Sequence, residues 1–248
     1  MTTILQSSIP YDPLTETALP GIGAADADDW LRRDDAFDAQ MRRRAEVLRD
    51  HRKDVLAMDA QAFEPAQELL EMALALHYPD AGDHALRPDG VRVKIDRAKP
   101  LETLCHLVQE DLCILQKQGD EHVLTGAILC FPASWCLSEK FMRPLIGIHD
   151  RVDPYDANIA RRVQRLFDGI QPGRPLWRFN ALWYHDAELY QPRSVNDPRE
   201  IRDRGSARFL RSERQVLLRL PRTRAVVFSI HTYVLDAQTL PKMENPAK

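Results

Sequence analysis

The C-terminal third of the chain contains the pattern that most constrains its fold. A charged segment at residues 211–215 runs into an apolar alternation at 216–220, a proline-led turn follows at Pro221–Arg224, and residues 225–235 are apolar and rich in β-branched side chains. Alternation with period two on both sides of a turn predicts two antiparallel strands. The first strand would carry a polar row on one face, formed by Arg211, Glu213, Gln215 and Arg219. Such a row is either a solvated surface or the polar wall of a cavity.

Length and charge exclude several classes of protein. With 248 residues, 44% of them hydrophobic, the chain can bury the core of one large domain. A formal net charge of −3, spread along the chain, predicts neither a nucleic-acid footprint nor a basic patch for membranes. No apolar run reaches the roughly 20 residues that span a bilayer, and the N-terminus lacks the order of a signal peptide, so we expect a cytoplasmic protein.

Helical spacing of apolar residues predicts four helices. The first would begin at Asp28 or Asp29 and extend to about Val55, with a solvated face formed by Arg32, Arg33, Arg42, Arg43 and Arg49. The second would cover residues 61–77. The third would run from Leu101 to Leu112 and carry Gln109, Glu110 and Asp111 near its end. The fourth would cover residues 159–170, before the loop QPGRP.

Three further segments predict strands, at residues 91–95, 123–131 and 177–184. Helices come first, strands interrupted by helices follow, and the chain finishes in a hairpin. This order favours an α+β fold with an antiparallel sheet over a doubly wound parallel sheet.

The common short motifs of enzymes are absent from the sequence. It contains no glycine-rich phosphate loop, no H-E-x-x-H, no EF-hand loop and no G-x-S-x-G. Its four cysteines show no C-x-x-C spacing, so neither a zinc ribbon nor an iron–sulfur cluster is predicted, and we expect buried thiols.

Five dispersed segments resemble one family in order and approximate spacing. They are LVQEDLCILQK, ILCFPASWCLSEKF, PLIGIHDRVDPY, RFNALWY followed by ELYQP, and SERQVLLRLPRTRAVVFSIHTY. These segments, between about Trp30 and Leu235, resemble the haem-dependent oxidative N-demethylase α-subunit family, which includes dimethylamine monooxygenase-type proteins.

The resemblance implies a PAS-like α+β fold, with an antiparallel sheet and flanking helices, that holds haem b. It also implies oxidative removal of an N-methyl group from a small secondary amine, with release of formaldehyde. Electrons would come from a separate reductase that carries flavin and an iron–sulfur cluster and is fed by NADPH. We divide the chain into an N-terminal arm (1–25) that wraps the domain or is partly disordered, a single haem-binding domain (26–240) with an N-terminal helical segment, and a tail (241–248).

A haem iron needs at least one protein donor, most often a neutral imidazole. His149 is the first choice, because it follows the apolar run Leu145–Ile148, precedes a turn and matches the family's IH-x-x-V-x-x-Y pattern. The alternative is a hydrogen-bonded structural histidine at a loop boundary. His231 is the second candidate, although the family usually has an arginine at that position.

Glu110 and Asp111 are the predicted catalytic residues. On a helix their side chains would diverge by roughly 100°, so one of them could face a cavity. A carboxylate there would bind a cationic amine or relay protons to dioxygen. The alternative is a surface pair at a helix end, and the match to the family's Q-E-D segment supports the catalytic interpretation.

Arg178, Asn180, Glu213 and Arg214 are the remaining predicted cofactor-binding residues. Arg178 and Asn180 share one strand face, and Arg178 would bind a haem propionate or Glu213, the alternative being an exposed salt bridge. Glu213 and Arg214 would lie on opposite faces and support the cofactor or the sheet. The family's tryptophan directly follows the asparagine, whereas here two residues separate Asn180 from Trp183.

Two other functions fit the same residues. A haem-binding PAS-type sensor would bind the cofactor without turnover and pass a signal to a partner. A non-catalytic relative would keep the fold and have lost the cofactor.

Overall fold

One antiparallel sheet organises the part of the chain that the structure, a computed structural model, describes. That part comprises residues 3–15, 21–149, 157–197 and 205–240, with the backbone alone for residues 149 and 157–161. The strands are β1 (Gly23–Ala24), β2 (Leu56–Met58), β3 (His84–Leu86), β4 (Arg92–Lys94), β5 (Asp111–Gln118), β6 (Glu121–Ile128), β7 (Leu176–Tyr184), β8 (Phe209–Arg219) and β9 (Val226–Asp236). Seven of them pair in the order β1-β7-β8-β9-β5-β6-β2, and β3 pairs with β4 apart from that sheet.

Helices cover both faces of the large sheet. They are α1 (Phe37–Asp50), α2 (Arg52–Val55), α3 (Phe63–His77), α4 (Pro100–Cys105), α5 (Leu137–Lys140), α6 (Leu145–His149) and α7 (Ala157–Gly169), and a 3-10 turn at Ala60–Ala62 precedes α3. No helix in the described ranges is long and apolar enough to cross a membrane.

The two sheet faces bury separate apolar clusters. On the α1 face, named for its first helix, Leu112, Val216 and Val227 pack against α1, α3 and α4. On the α7 face, Cys113 and Leu217 pack against residues of α5, α6 and α7. Because successive residues of a strand point to opposite faces, each central strand is buried on both sides.

The predicted C-terminal hairpin is confirmed, and it forms the longest strand pair of the sheet. β8 and β9 pair from Phe209↔Asp236 to Arg219↔Val226, and the turn closes with a bond from the Leu220 amide to the Ala225 carbonyl at 2.9 Å. The polar row that begins at Arg211 lies on the α7 face, and its charged members are at most 8% exposed. A solvated surface is therefore the wrong interpretation of that row.

Most other predicted elements are also confirmed. The strands at 91–95, 123–131 and 177–184 correspond to β4, β6 and β7, and the helices at 61–77 and 159–170 correspond to α3 and α7. The α+β class and the antiparallel sheet follow from these elements.

The predictions for the first and third helices need correction. The first helix begins at Phe37 and not at Asp28 or Asp29. Trp30 is buried in the core, as the pattern suggested, but it belongs to an irregular segment that precedes the helix. The third helix ends at Cys105, and Asp111 is the first residue of β5. The apolar residues from 101 to 112 have helical spacing throughout. In the structure they belong successively to α4, to a turn and to β5.

The described part of the N-terminal arm packs on the α1 face. The Gln6 amide donates to the Val234 carbonyl at 3.0 Å, and the Gln6 side chain accepts from the Val234 amide at 2.8 Å. Tyr11 stacks on Phe179 with 4.7 Å between ring centroids, and its hydroxyl lies 2.9 Å from the Ser212 hydroxyl. The arm therefore covers the middle of β8 and the adjoining parts of β7 and β9.

A buried ion pair joins α1 to the start of β5. Arg44 Nη1 donates to Asp111 Oδ1 at 2.6 Å, and both side chains are at most 1% exposed. The other bonds of the carboxylate come from the amides of Cys130 and Phe131, at 2.8 and 2.7 Å. Arg44 also donates to the Gln109 carbonyl at 3.1 Å. One pair thus holds α1, the start of β5 and the turn after β6 together.

We expect Asp111→Ala to lower the free energy of unfolding by about 3–5 kcal/mol, because it leaves the Arg44 guanidinium buried without a counter-charge. Arg52→Met, which removes an exposed pair with Glu102, is the control and should cost about 0–1 kcal/mol. Urea unfolding followed by circular dichroism measures both changes. Equal effects of the two substitutions would contradict a central role for the buried pair.

Candidate functional site on the α7 face

Four polar side chains from β7 and β8 form a patch on the α7 face. The strand register places Arg178 opposite Gln215 and Asn180 opposite Glu213, and directly opposed residues share a face. Asn180 Nδ2 donates to Glu213 Oε2 at 2.9 Å, and Gln215 Nε2 donates to the same oxygen at 3.0 Å. The Glu213 carboxylate is therefore held by two amides at the centre of the patch.

The ends of the buried polar row have structural roles. Arg211 donates to the carbonyls of Leu189 and Phe131 at 2.9 and 2.5 Å. Arg219 donates to the Ile170 carbonyl at 2.7 Å and to the Phe167 carbonyl, near the C-terminal end of α7. Only the middle of the row, at Glu213 and Gln215, adjoins Arg178.

Arg178 is a half-buried cation without a counter-charge in the described part of the chain. Its Nε is shielded from solvent and has no hydrogen-bond partner, and burial lowers the pKa of its guanidinium. The predicted pair between Arg178 and Glu213 is not formed. Asn180 and Gln215 donate to Glu213 Oε2, and Arg211 lies 3.8 Å from Glu213 Oε1. A buried charge without a partner is costly, so this guanidinium is suited to bind an anion from outside the chain.

Partly buried apolar and aromatic side chains lie on the same face of the sheet as the polar patch. Trp135, Phe141, Ile148 and Phe228 are partly buried and pack against the apolar cluster of the α7 face. Lys140 Nζ lies 4.9 Å from the centroid of the Trp135 ring. The α7 face therefore carries both partly buried aromatic side chains and cationic groups.

His149 is the last residue of α6, and its side chain lies outside the described part of the chain. The preceding Ile148 packs against the cluster of the α7 face, and so does Leu145 at the start of the helix. The helix that carries His149 therefore lies on the same side of the sheet as Arg178. The assignment of His149 as the iron ligand remains a prediction.

The five other predicted site residues make contacts within the fold, Asn180 with Glu213 as described above. Arg214 lies on the α1 face, as the alternation predicts, and donates to the Asp29 carboxylate at 2.6 Å and to the Asp29 carbonyl at 2.7 Å. Asp111 accepts the bonds from Arg44, Cys130 and Phe131 described above. The remaining two, Glu110 and Glu213, are held by neighbouring side chains.

Glu110 and His231 belong to a buried polar network on the α1 face. His231 Nδ1 lies 2.8 Å from Glu110 Oε1, and His231 Nε2 lies 3.0 Å from Asp34 Oδ2. The same Glu110 oxygen accepts from the Arg32 amide at 2.6 Å, while Oε2 is buried without a hydrogen-bond partner in the described ranges. Both imidazole nitrogens of His231 are occupied by carboxylates, so neither is free to bind iron.

Burial by itself lowers the pKa of His231, but its hydrogen bonds to Asp34 and Glu110 raise the pKa to about 9. The same contact holds the pKa of the Asp34 carboxyl below its ordinary value, against the effect of burial. The imidazolium is thus the stable form of His231 at neutral pH, and it joins β9 to the segment before α1.

Sequence reasoning missed three residues of these arrangements. Arg44 stands among exposed arginines, and its spacing of three from Met41 and four from Leu48, both buried, is the signal that could have identified it. Asp34 has no comparable local signal, because its partners Gln6, Gln109 and His231 are distant in the sequence. Lys140 contacts Trp135, only five residues earlier, but the sequence pattern does not indicate that contact.

The His231 contacts predict a pH dependence of stability. Because the folded pKa is raised from 6.5 to about 9, their contribution is complete below pH 6.5 and is lost as the pH rises through 9. We expect the free energy of unfolding to fall by about 3 kcal/mol across that window in the native chain, at 1.36 kcal/mol per pH unit. Urea midpoints at pH 6, 7.5 and 9.5 measure it, and His231→Gln should remove the slope. The same slope in both proteins would contradict this role of His231.

No group of three or more His, Cys, Asp or Glu side chains in the described ranges is arranged to hold a metal ion. A haem iron requires only one or two protein ligands, so this finding applies to metal ions held by side chains alone and does not bear on haem.

Residues 21–248 match the family described as haem-dependent oxidative N-demethylase, alpha subunit-like. Since the match covers nearly the whole sequence, the chain belongs to the haem-dependent oxidative N-demethylase alpha subunit-like family.

Proposed function

We propose that this protein is a haem b-dependent oxidative N-demethylase with a PAS-like fold, and that the α7 face holds the cofactor. The observation that carries the proposal is the guanidinium of Arg178, whose buried Nε has no hydrogen-bond partner among the described residues, on the sheet face that also carries partly buried aromatic side chains. Family membership supports the general kind of activity and the use of haem.

The residues of the α7 face fit the chemistry of haem. A porphyrin has a flat apolar body and two propionate carboxylates, and it requires both apolar contact and cationic partners. Trp135, Ile148 and Phe228 supply apolar surface, and Arg178 supplies a planar donor suited to a carboxylate. His149 would be the iron ligand. Bound haem would supply the activation of dioxygen for oxidation at an N-methyl carbon.

The chain's own residues would bind and orient the amine. A small secondary amine is cationic at neutral pH, and Glu213 is the carboxylate of the polar patch, 4% exposed and oriented by Asn180 and Gln215. A carboxylate held in this way needs little reorganisation to accept an ammonium hydrogen bond. In this proposal Glu110 and Asp111, first predicted as catalytic, position β5, because their contacts lie within the network and the ion pair described above.

The proposed reaction needs a partner. An alpha subunit-like chain implies a second subunit. We propose that the partner is a reductase that carries flavin and an iron–sulfur cluster and delivers electrons from NADPH, and that formaldehyde is the second product.

Haem binding can be tested with haemin titration of the purified chain, followed by the Soret absorbance. We expect a Soret band for the native chain and a change in the position of that band in His149→Ala. We expect Arg178→Gln to bind haemin roughly tenfold more weakly, because the loss of a charge-assisted hydrogen bond costs about 1.5 kcal/mol. Arg174→Gln, which changes an exposed arginine before β7, is the matched control and should bind haemin normally. A native chain that stays colourless would contradict the proposal and favour a relative that has lost the cofactor.

Activity is tested separately with the haem-loaded chain, dimethylamine, dioxygen and a reductase with NADPH. We expect formaldehyde release that depends on both the amine and the reductase, and a large loss in Glu213→Gln with haem content retained. A Soret band without turnover for any small secondary amine would instead favour a haem-binding sensor.

A further inference from the structure

Two of the four cysteines lie in direct contact in the core. Cys105 is the last residue of α4, and Cys130 lies in the turn after β6, 25 residues further along the chain. Their Sγ atoms are 3.5 Å apart, and both are free thiols. Cys113 and Cys136, the other two, have no second thiol in contact with them in the described part of the chain. The fold thus brings together one particular pair of thiols.

A bond between the two sulfurs requires only a small displacement. An S–S bond is about 2.05 Å long, so the two Sγ atoms would approach each other by about 1.5 Å. Cys105 ends a short helix, and Cys130 follows Ile128, the last residue of β6 that pairs with β5. Because neither cysteine belongs to a paired strand, the approach leaves the strand pairing of the sheet intact.

The surroundings make the two thiols unequal. Arg44 contacts both residues: its Nε donates to the Cys105 carbonyl at 3.4 Å, and its carbonyl lies 4.0 Å from Cys130 Sγ. The hydrogen bond with Cys130 and the charge of Arg44 hold the pKa of Cys105 below its ordinary value, against the effect of burial. The contact with Cys105 and burial raise the pKa of Cys130. Cys105 is therefore the nucleophile of the pair, and Cys130 is the thiol that can resolve its oxidised form.

Burial limits the reagents that can reach the pair. Both side chains are 0% exposed, so a bulky disulfide such as oxidised glutathione has no access to them in the folded chain. Hydrogen peroxide is uncharged and only slightly larger than water. Folded proteins hold water molecules in their interiors and open locally, which admits a molecule of this size.

We propose that Cys105 and Cys130 are a dithiol modification site that a small peroxide converts into a disulfide. The Cys105 sulfur attacks one peroxide oxygen, the O–O bond breaks, and Cys105 becomes a sulfenic acid as water leaves. The Cys130 sulfur then attacks the Cys105 sulfur, the S–O bond breaks, and the hydroxide leaves as water with the Cys130 proton. In balance, two R–SH and H₂O₂ yield R–S–S–R and two H₂O, so the sulfurs are oxidised and the peroxide is reduced.

The disulfide would join α4 to the turn after β6, beside the buried pair of Arg44 and Asp111. A covalent link at this point restricts the unfolded chain and holds together segments that the ion pair already connects. The inference needs no haem and stands apart from the proposed function.

Treatment of the reduced, full-length chain with hydrogen peroxide tests this site. Catalase removes the peroxide, and the chain is then denatured for a thiol count and for mass spectrometry. We expect the count to fall from four to two and the monomer to lose the mass of two hydrogens. Digestion should give peptides joined between Cys105 and Cys130 until dithiothreitol is added. Cys130→Ser should instead accumulate a sulfenic acid at Cys105, detected as one added oxygen.

Two comparisons complete the experiment. Cys113→Ser, which changes another buried cysteine, is the matched control and should form the disulfide at the native rate. Oxidised glutathione should leave the pair reduced, and oxidation by it as fast as by peroxide would contradict a small peroxide as the reagent. A dose of peroxide that oxidises the partly exposed Cys136 while Cys105 and Cys130 remain thiols would overturn the proposal. That result is read on the native chain without haem, so it depends neither on the folding of a variant nor on the haemin titration.

Discussion

The buried pair of Arg44 and Asp111 is the contact on which the rest of the structure depends. Asp111 opens β5, the strand that joins β9 on one side to β6 on the other. Two charges removed from water stabilise a fold only when they are paired and further hydrogen-bonded, and here the backbone amides after β6 complete the carboxylate. The pair therefore anchors the start of β5 to α1 and to the residues after β6.

Polar side chains near the start of β5 divide between the two faces of the sheet. Glu110, one residue earlier, reaches the α1 face and binds His231, while Glu213 and Arg214 divide between the two faces in the same way. On the α1 face, charged groups meet charges of opposite sign. The charges of this network hold the N-terminal segments to β9, so their role is structural.

The α7 face also contains an ion pair, between Arg211 and Glu213 at 3.8 Å, but it differs from the α1 face in two of its cations. Arg178 and Lys140 lie there without an ion pair in the described ranges, next to aromatic and aliphatic side chains that are only partly covered. Desolvated cations are costly unless a ligand or a reaction uses them. This contrast between the two faces, together with membership of a haem-dependent family, is why we propose that binding and chemistry take place on the α7 face.

Local patterns in the sequence were sufficient for the strands and their faces. Period-two alternation predicted β7, β8 and β9 and separated Glu213 from Arg214, because alternation is a property of the strand itself. The same reasoning failed for residues 101–112, since helical spacing of apolar residues does not reveal that a turn and a new strand begin within it. The partner of Arg44 is 67 residues away and that of His231 is 121 residues away, and no local pattern encodes such pairs. Only the tertiary structure decided which charges are neutralised in the core and which have no partner among the described residues, because that depends on which distant strands the sheet brings together.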